Sequence, residues 1–214
     1  SLLAGLCDFN FFIEKKSVLA ANSPLVITAK NGANVSKFEV GGAAGLKCAN
    51  LATFAVKNFE EIKKTVVEIN EILCTPVIDS DELDVSLPAL DKKTDAKAIK
   101  SVFDKDYAIE LGGAYSPEVK CYLGRIGGIA VAAVVFDGEN GVELNAGNVR
   151  KLKDFAEFAS CYELPYITFV NTLGITADTA TNNSLVIREI GEYVSVLDCI
   201  DSAKISVVYG KAIG

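Results

Sequence analysis

The side chains that could do chemistry in this chain are limited by its lack of histidine. Without an imidazole, Ser-His-Asp and Cys-His catalysis and histidine-ligated metal sites are excluded. Carboxylates, lysines, tyrosines and backbone groups remain. Asp178, Glu189 and Glu192 could be imagined as an acid/base pair, but their places in a predicted loop and on a predicted helix favour solvated charges. Lys211 follows a predicted strand, and it could bind an anion or be an ordinary surface lysine.

The cysteines and the charge balance narrow the choice of cofactors and partners. Six cysteines occur without a C-x-x-C pair: Cys7, Cys48, Cys74, Cys121, Cys161 and Cys199. This spacing predicts no metal site and reduced thiols, as in a cytoplasmic protein. A net charge of −7 argues against a nucleic-acid surface, which needs clustered Lys and Arg. We also expect no membrane span and no secretion signal, because the apolar runs are short and no charged-then-apolar leader is present.

Two nucleotide-binding motifs are missing. The glycines of GRIGG, 124–128, precede a predicted strand, whereas a dinucleotide fingerprint has the pattern G-x-G-x-x-G and opens a helix. No G-x-x-x-x-G-K-[ST] segment occurs either, which excludes P-loop phosphate chemistry.

The order of elements after Cys121 predicts where a ligand would bind. A strand (CYLGRIGGIAVAAVVF), a helix, a strand (PYITFVN), a second helix and a strand (KISVVYG) follow one another. This order predicts parallel strands joined by right-handed helical crossovers. Ligands bind at the carboxyl ends of such strands, where the segments 137–145, 171–183 and 210–214 are rich in small or polar residues. Small residues let a ligand approach backbone N–H groups, although plain turns would look the same.

The first part of the chain predicts a smaller α/β region. Residues 8–20 indicate two short strands around a Lys15–Lys16 turn, and Asn58 with Glu61 predicts a capped helix. Residues 75–95 lack periodicity and contain two prolines, which indicates a linker. We therefore predict domains at 1–74 and 96–214, the second of them incomplete. The chain starts with serine and contains no methionine, so we expect it to be a segment of a longer protein.

The sequence resembles a known family. LGRIGGIAVAAVV, ELNAGNVRKLKDFAEFASCYELPYITFVNTLGI and KISVVYGKAIG resemble, in order and spacing, the carboxyl-terminal half of biotin-dependent acyl-CoA carboxyltransferases. These are crotonase-superfamily subunits of acetyl- and propionyl-CoA carboxylases and related decarboxylases. LLAGLCDFNFFIEKKSVLAANSP and FEVGGAAGLKCANLATFAVKNFEEI resemble the end of the amino-terminal half. The resemblance implies an α/β, ClpP/crotonase-like spiral fold of two related parts.

The resemblance also implies a mechanism and site residues. Members of the family stabilise the acyl-CoA enolate and the ureido oxygen of biotin with backbone N–H groups, which needs no titrating side chain. By analogy, the biotin side would contain Asn171, Thr172, Leu173, Gly174 and Ile213, with Gly214 as the catalytic residue. The CoA side would be framed by residues 8–24 and would contain Asn22 and Ser23.

The chain departs from the family pattern in several places. The Gly-Gly pair of the first oxyanion hole would fall just before Ser1, and the Gly-Ala pair of the second just after Gly214. Ile213 replaces the usual tyrosine. NTLG stands where the carboxylases have Asp-Thr-Pro-Gly, which is closer to the decarboxylase subunits.

The expected function is carboxyl transfer between an acyl-CoA and biotin on a carrier protein, by a homo-oligomer (a dimer or a trimer of dimers) that needs no metal. Whether the chain is an enzyme stays open at this point. The alternatives are a decarboxylase subunit running the reverse reaction and a non-catalytic assembly or binding module with the same fold. A crotonase-type hydratase or isomerase is a weaker alternative, because no paired glutamates stand at its expected sites.

Overall fold

The computed structural model describes residues 2–74, 96–104 and 107–214. Backbone contacts group the chain into two units, Ser1–Val67 and Glu68–Gly214. The predicted linker at 75–95 lies outside the described residues, and the predicted domain limits at 74 and 96 stay a prediction.

The first unit is a small α/β arrangement around two short parallel strands. Its elements are a 3-10 helix (Leu2–Leu6), β1 (Phe11–Ile13), α1 (Pro24–Asn31), α2 (Lys37–Gly41), α3 (Ala43–Cys48), β2 (Phe54–Val56) and the start of α4 (Phe59–Cys74). Strand β1 pairs in parallel with β2, over a small core of Phe12, Ala43 and Ala52. The predicted cap of α4 is confirmed, since Glu61 N donates to Asn58 Oδ1 at 3.0 Å.

The predicted hairpin around Lys15–Lys16 is wrong in its second strand. After β1 the chain turns and makes a single antiparallel bridge between Val18 and Gly42. Leu19 N donates to Gly41 O at 2.9 Å, so the segment after the turn pairs with the end of α2 and not with β1.

The second unit is built on a mixed sheet. Its elements are the end of α4, α5 (Ala96–Lys100), β3 (Ala108–Leu111), β4 (Val119–Ile126), β5 (Ile129–Phe136), β6 (Val142–Leu144), α6 (Ala146–Cys161), β7 (Tyr166–Ile175), α7 (Thr179–Asn182), α8 (Val186–Asp198) and β8 (Lys204–Ala212). Within the described residues the strand order is β3-β4-β5-β7-β6, with β8 also pairing with β7. The predicted parallel crossovers are confirmed, because β5, β6 and β8 all pair with β7 in parallel.

The segment CYLGRIGGIAVAAVVF forms two strands where the sequence predicted one. Strands β4 and β5 pair antiparallel, with Ile126 opposite Ile129. The turn consists of Gly127 and Gly128, at φ 59° and 78°, which are the left-handed values that a two-residue hairpin turn requires. Asp104 accepts from both glycine N–H groups at 2.9 and 2.8 Å, which fixes the turn.

Strand β5 is the centre of the core and is covered on both faces, as its continuous apolar run predicts. Residues 131–136 are all buried. One face packs against Ile99 of α5 and Phe103. On the opposite face, Ala132 pairs with Tyr166 of β7, whose ring lies 6.2 Å from that of Phe155 in α6. Asn145 caps α6 through Gly147 N and Asn148 N, which places the helix start directly after β6.

Candidate functional site

The three segments that the sequence placed at the sheet edge do meet there. They follow β5 or form the ends of β7 and β8, which are parallel and therefore end at the same edge. They contain more strand than predicted, since β6 occupies 142–144, β7 continues to Ile175 and β8 to Ala212. The rest of the predicted loop 171–183 leads into α7, so the term rim is used for 137–145, 171–175 and 210–214 together.

Asn171 connects all three rim segments through its side chain. Its Nδ2 donates to Gly138 O at 2.6 Å, and its Oδ1 accepts from Lys211 N at 3.0 Å. The residue is only 6% exposed. Because one amide group bridges two neighbouring backbones, it fixes their separation.

Thr172 adds a second set of connections beside the first. Its Oγ1 donates to Val142 O and accepts from Gly174 N, both at 3.0 Å. Its backbone oxygen accepts from Ile213 N at 3.1 Å. The N–H groups of Gly174 and Ile213 are therefore used to hold the rim together.

Two glycines come together at the centre of the rim. A Cβ atom on Gly174 would lie 3.1 Å from Ile213 O and 3.3 Å from Gly214 Cα, and φ of Gly174 is +88°. Leu173 lies beside Gly141, where a Cβ would be 3.1 Å from Leu173 Cγ. The structure thus brings together all six residues that the sequence assigned to the biotin side and to catalysis.

Lys211 also has a place within the rim. Its Nζ donates to Asn140 O at 3.1 Å, so the side chain connects β8 to the 137–145 segment. Because Lys211 is exposed and this hydrogen bond lies at the surface, the contact fits the surface lysine that the sequence left open better than anion binding.

The residues assigned to the CoA side lie in the first unit. Asn22 and Ser23 are exposed, and Ser23 is the N-cap of α1, with its hydroxyl accepting from Val26 N at 3.4 Å. Their assignment to CoA binding stays a prediction.

The carboxylates considered for acid/base chemistry have structural partners instead. Asp178 caps α7 by accepting from Thr181 N at 2.6 Å. Glu192 is within 2.9 Å of Lys153 Nζ. Glu189 is 4% exposed and bound by Arg150, whose hydrogen bond lowers the pKa of the glutamate carboxyl. These ion pairs join α8 to α6, so the expectation of freely solvated charges is wrong for Glu189.

The lowered pKa of Glu189 predicts a pH effect on stability. A carboxyl with a depressed folded-state pKa stabilises the protein above its unfolded value of about 4.3, and this contribution disappears as the pH falls through the folded-state pKa. We expect Glu189→Gln to unfold more easily than the wild type at pH 7 and the difference to shrink towards pH 3. Urea unfolding at several pH values measures this, with the exposed Glu157→Gln as control. A difference that does not change with pH contradicts the assignment.

One charged residue near the sheet was missed by the sequence reading. Lys151 is 3% exposed, and its Nζ donates to Tyr115 O at 2.6 Å and to Ser116 O at 3.3 Å. Burial lowers the pKa of Lys151 and raises that of neighbouring Cys121 to about 12. Helical spacing could have identified Lys151, because it lies four residues before the buried Phe155.

Two other features are absent from the described part of the chain. No group of three or more Cys, Asp or Glu side chains there is placed to hold a metal ion. Over the same residues, every helix is too short or too polar to cross a lipid bilayer.

Comparisons with known proteins identify the family and the fold. The family model described as the carboxyl transferase domain matches residues 2–214. Transcarboxylase 12S, solved as a hexamer with methylmalonyl-coenzyme A and methylmalonic acid bound, superposes with a TM-score of 0.80 at 17% identity, covering 95% of this chain and 42% of that one. A second transcarboxylase 12S structure, with hydrolysed methylmalonyl-coenzyme A bound, gives a TM-score of 0.78 at 19% identity over 95% and 44% of the two chains.

A single-chain, multi-domain long-chain acyl-CoA carboxylase gives a TM-score of 0.78 at 15% identity, over 96% of this chain and 21% of that one. The likeness confirms the expected α/β crotonase-like fold. The chain spans less than half the length of these relatives. A search of curated protein sequences returned no significant match.

Proposed function

This chain belongs to the carboxyl transferase domain family, and we propose that the protein transfers a carboxyl group between an acyl-CoA and biotin held on a carrier protein. The observation that carries the proposal is the convergence of Asn171–Gly174 with Ile213 and Gly214 at the end of the parallel strands. The hexamer and the bound methylmalonyl-coenzyme A of the transcarboxylase structures support an oligomer that uses an acyl-CoA.

The rim residues fit biotin in chemical character. Neither 171–175 nor 212–214 contains a charged residue, which suits a neutral ureido ring. Gly174 is buried against the backbone of Ile213 and Gly214, and the exposed Gly214 is the part of this pair that a ligand can reach. Biotin supplies a ring nitrogen that accepts and releases the carboxyl group. The chain's own part is to place the backbone at Gly214.

The direct test is carboxyl transfer by the full-length protein. Methylmalonyl-CoA or malonyl-CoA labelled in the free carboxyl group is incubated with biotin, and the label recovered with biotin is measured. We expect label in the biotin fraction that depends on protein concentration. A folded full-length protein that transfers none from either substrate contradicts the proposal and supports the non-catalytic module.

Gly174→Ala is the variant that tests the rim. A side chain at φ +88° is strained and would push against Ile213 O. We expect the rate of carboxyl transfer to fall about tenfold or more, since misplacement of a reacting group by about 1 Å can cost two orders of magnitude. Gly191→Ala on α8 is the control, because nothing lies within 4 Å of its Cβ position. Equal rates for the two variants would contradict a role for the rim.

A further inference from the structure

We propose that Asn171 is a positioning residue that sets the register of the rim, and that its side chain does not bind substrate. The family resemblance placed it among the biotin-binding residues. The inference of a catalytic consequence rests on the proposed function, whereas the hydrogen bonds themselves do not.

Both polar atoms of the Asn171 amide are already engaged inside the protein. Nδ2 donates to Gly138 O and Oδ1 accepts from Lys211 N, at 2.6 and 3.0 Å. With 6% of the residue exposed, little of it is available to a ligand. The side chain therefore acts on the reaction through the backbone that leads to Gly214.

Gly210 shows how closely β7 and β8 pack at this point. A Cβ on Gly210 would lie 2.5 Å from Asn171 Cγ, well inside van der Waals contact. Any side chain at position 210 would displace the amide. Asn171 and Gly210 thus form a matched pair, in which the absence of one side chain makes room for the other.

The bridge requires an amide and cannot be made by a carboxylate. An aspartate at position 171 could accept from Lys211 N, but an ionised carboxylate has no proton to donate to Gly138 O and would place an oxygen against an oxygen. When protonated, the same group can donate and accept like asparagine. Asn171→Asp should therefore keep the bridge at low pH and lose it at high pH.

The residues around position 171 should raise the pH at which an aspartate introduced there loses its proton. Titratable groups on the segments that flank Asn171 are Asp137, Glu139, Glu143, Tyr209 and Lys211. Asp137 is paired with Lys120 at 2.7 Å, and Lys211 Nζ donates to Asn140 O. Burial together with these carboxylates disfavours a further negative charge, so the introduced carboxyl should titrate above the usual aspartate range.

The experiment measures hydrogen exchange of the Lys211 amide in the full-length protein without ligand, and carboxyl transfer in parallel, over a range of pH. Each variant's exchange rate is divided by the intrinsic rate at the same pH. We expect Asn171→Ala to speed Lys211 exchange about tenfold at every pH, as the loss of a buried hydrogen bond predicts. Asn171→Asp should match the wild type at low pH and Asn171→Ala at high pH. Asn70→Asp, an exposed change of the same charge on α4, should match the wild type throughout.

The two readouts separate this inference from the proposed function. If the Asn171→Asp transfer rate falls with the same pH midpoint as the Lys211 protection, the positioning role is supported. Unchanged Lys211 exchange in Asn171→Ala overturns the positioning role. If the wild type is active, an Asn171→Asp transfer rate that does not change with the pH midpoint of the Lys211 protection also overturns it. A wild type with no transfer but with the expected exchange pattern overturns only the proposed function and leaves the bridge established.

Discussion

Replacing Arg125 with alanine should lower the free energy of unfolding by about 3–5 kcal/mol, the range expected when a large buried side chain and its charge-assisted hydrogen bonds are removed together. Arg125 is 1% exposed. Its Nη1 donates to Gly128 O at 2.5 Å, and its Nη2 donates to Glu71 O and Ile72 O at 2.9 and 3.0 Å. The guanidinium thus joins the β4–β5 turn to the last turn of α4.

Truncation at Arg125 leaves the carbonyl groups of the buried residues Gly128 and Ile72 without their donor. Urea unfolding followed by circular dichroism measures the loss. Arg188→Ala is the matched control. The side chain of Arg188 is 73% exposed, and its ion pair with Glu192 should contribute less than about 1 kcal/mol to the free energy of unfolding. A loss below about 1 kcal/mol for Arg125→Ala would show that the turn and the helix end are held by other contacts.

Gly41→Ala should destabilise the first unit by about 3 kcal/mol, at the upper end of the usual cost of overpacking. The ideal Cβ position overlaps the carbonyl group of Leu19, with the carbonyl carbon 2.7 Å away. The backbone cannot easily move aside, because Leu19 N donates to Gly41 O at 2.9 Å and Val18 pairs with Gly42. The substitution therefore breaks the contact that holds the segment after β1 to the end of α2.

Hydrogen exchange of amides within residues 2–67 measures this effect locally. Gly45→Ala, in α3, provides the control because its Cβ position is open and alanine favours the helix by up to about 1 kcal/mol. Slower exchange in Gly45→Ala and faster exchange in Gly41→Ala is the expected pair of results. Equal exchange in both variants would mean that the Leu19 backbone yields without cost.

Helix starts and buried strands could be predicted from the sequence where a short stretch of residues is typical of a single structure. Asn58 caps its helix as expected, because its side chain satisfies a free N–H group at the helix start. The apolar run of β5 was buried on both faces as its pattern required. The same run hid the hairpin at Gly127–Gly128, since apolar residues continue on both sides of the turn and the period does not break.

Contacts between residues far apart along the chain could not be predicted from the sequence pattern. The rim residues were located by type and by the rule that parallel strands end together, but nothing local shows that Asn171 reaches Gly138 and Lys211. Those partners are 33 and 40 positions away along the chain. Arg125 likewise meets the end of α4 from 53 and 54 positions away. Such contacts depend on strand register, which only the folded chain specifies.

We propose that biotin binds against the backbone where Gly174 and Gly214 meet, and selective ¹⁵N-glycine labelling of the full-length protein tests this site. On titration with biotin methyl ester, we expect the amide signals of Gly174 and Gly214 to shift together, with one affinity, while that of Gly191 on α8 stays in place. If Gly174 and Gly214 do not move at the highest soluble concentration of the ligand, or if only distant glycines do, the rim is not where biotin binds.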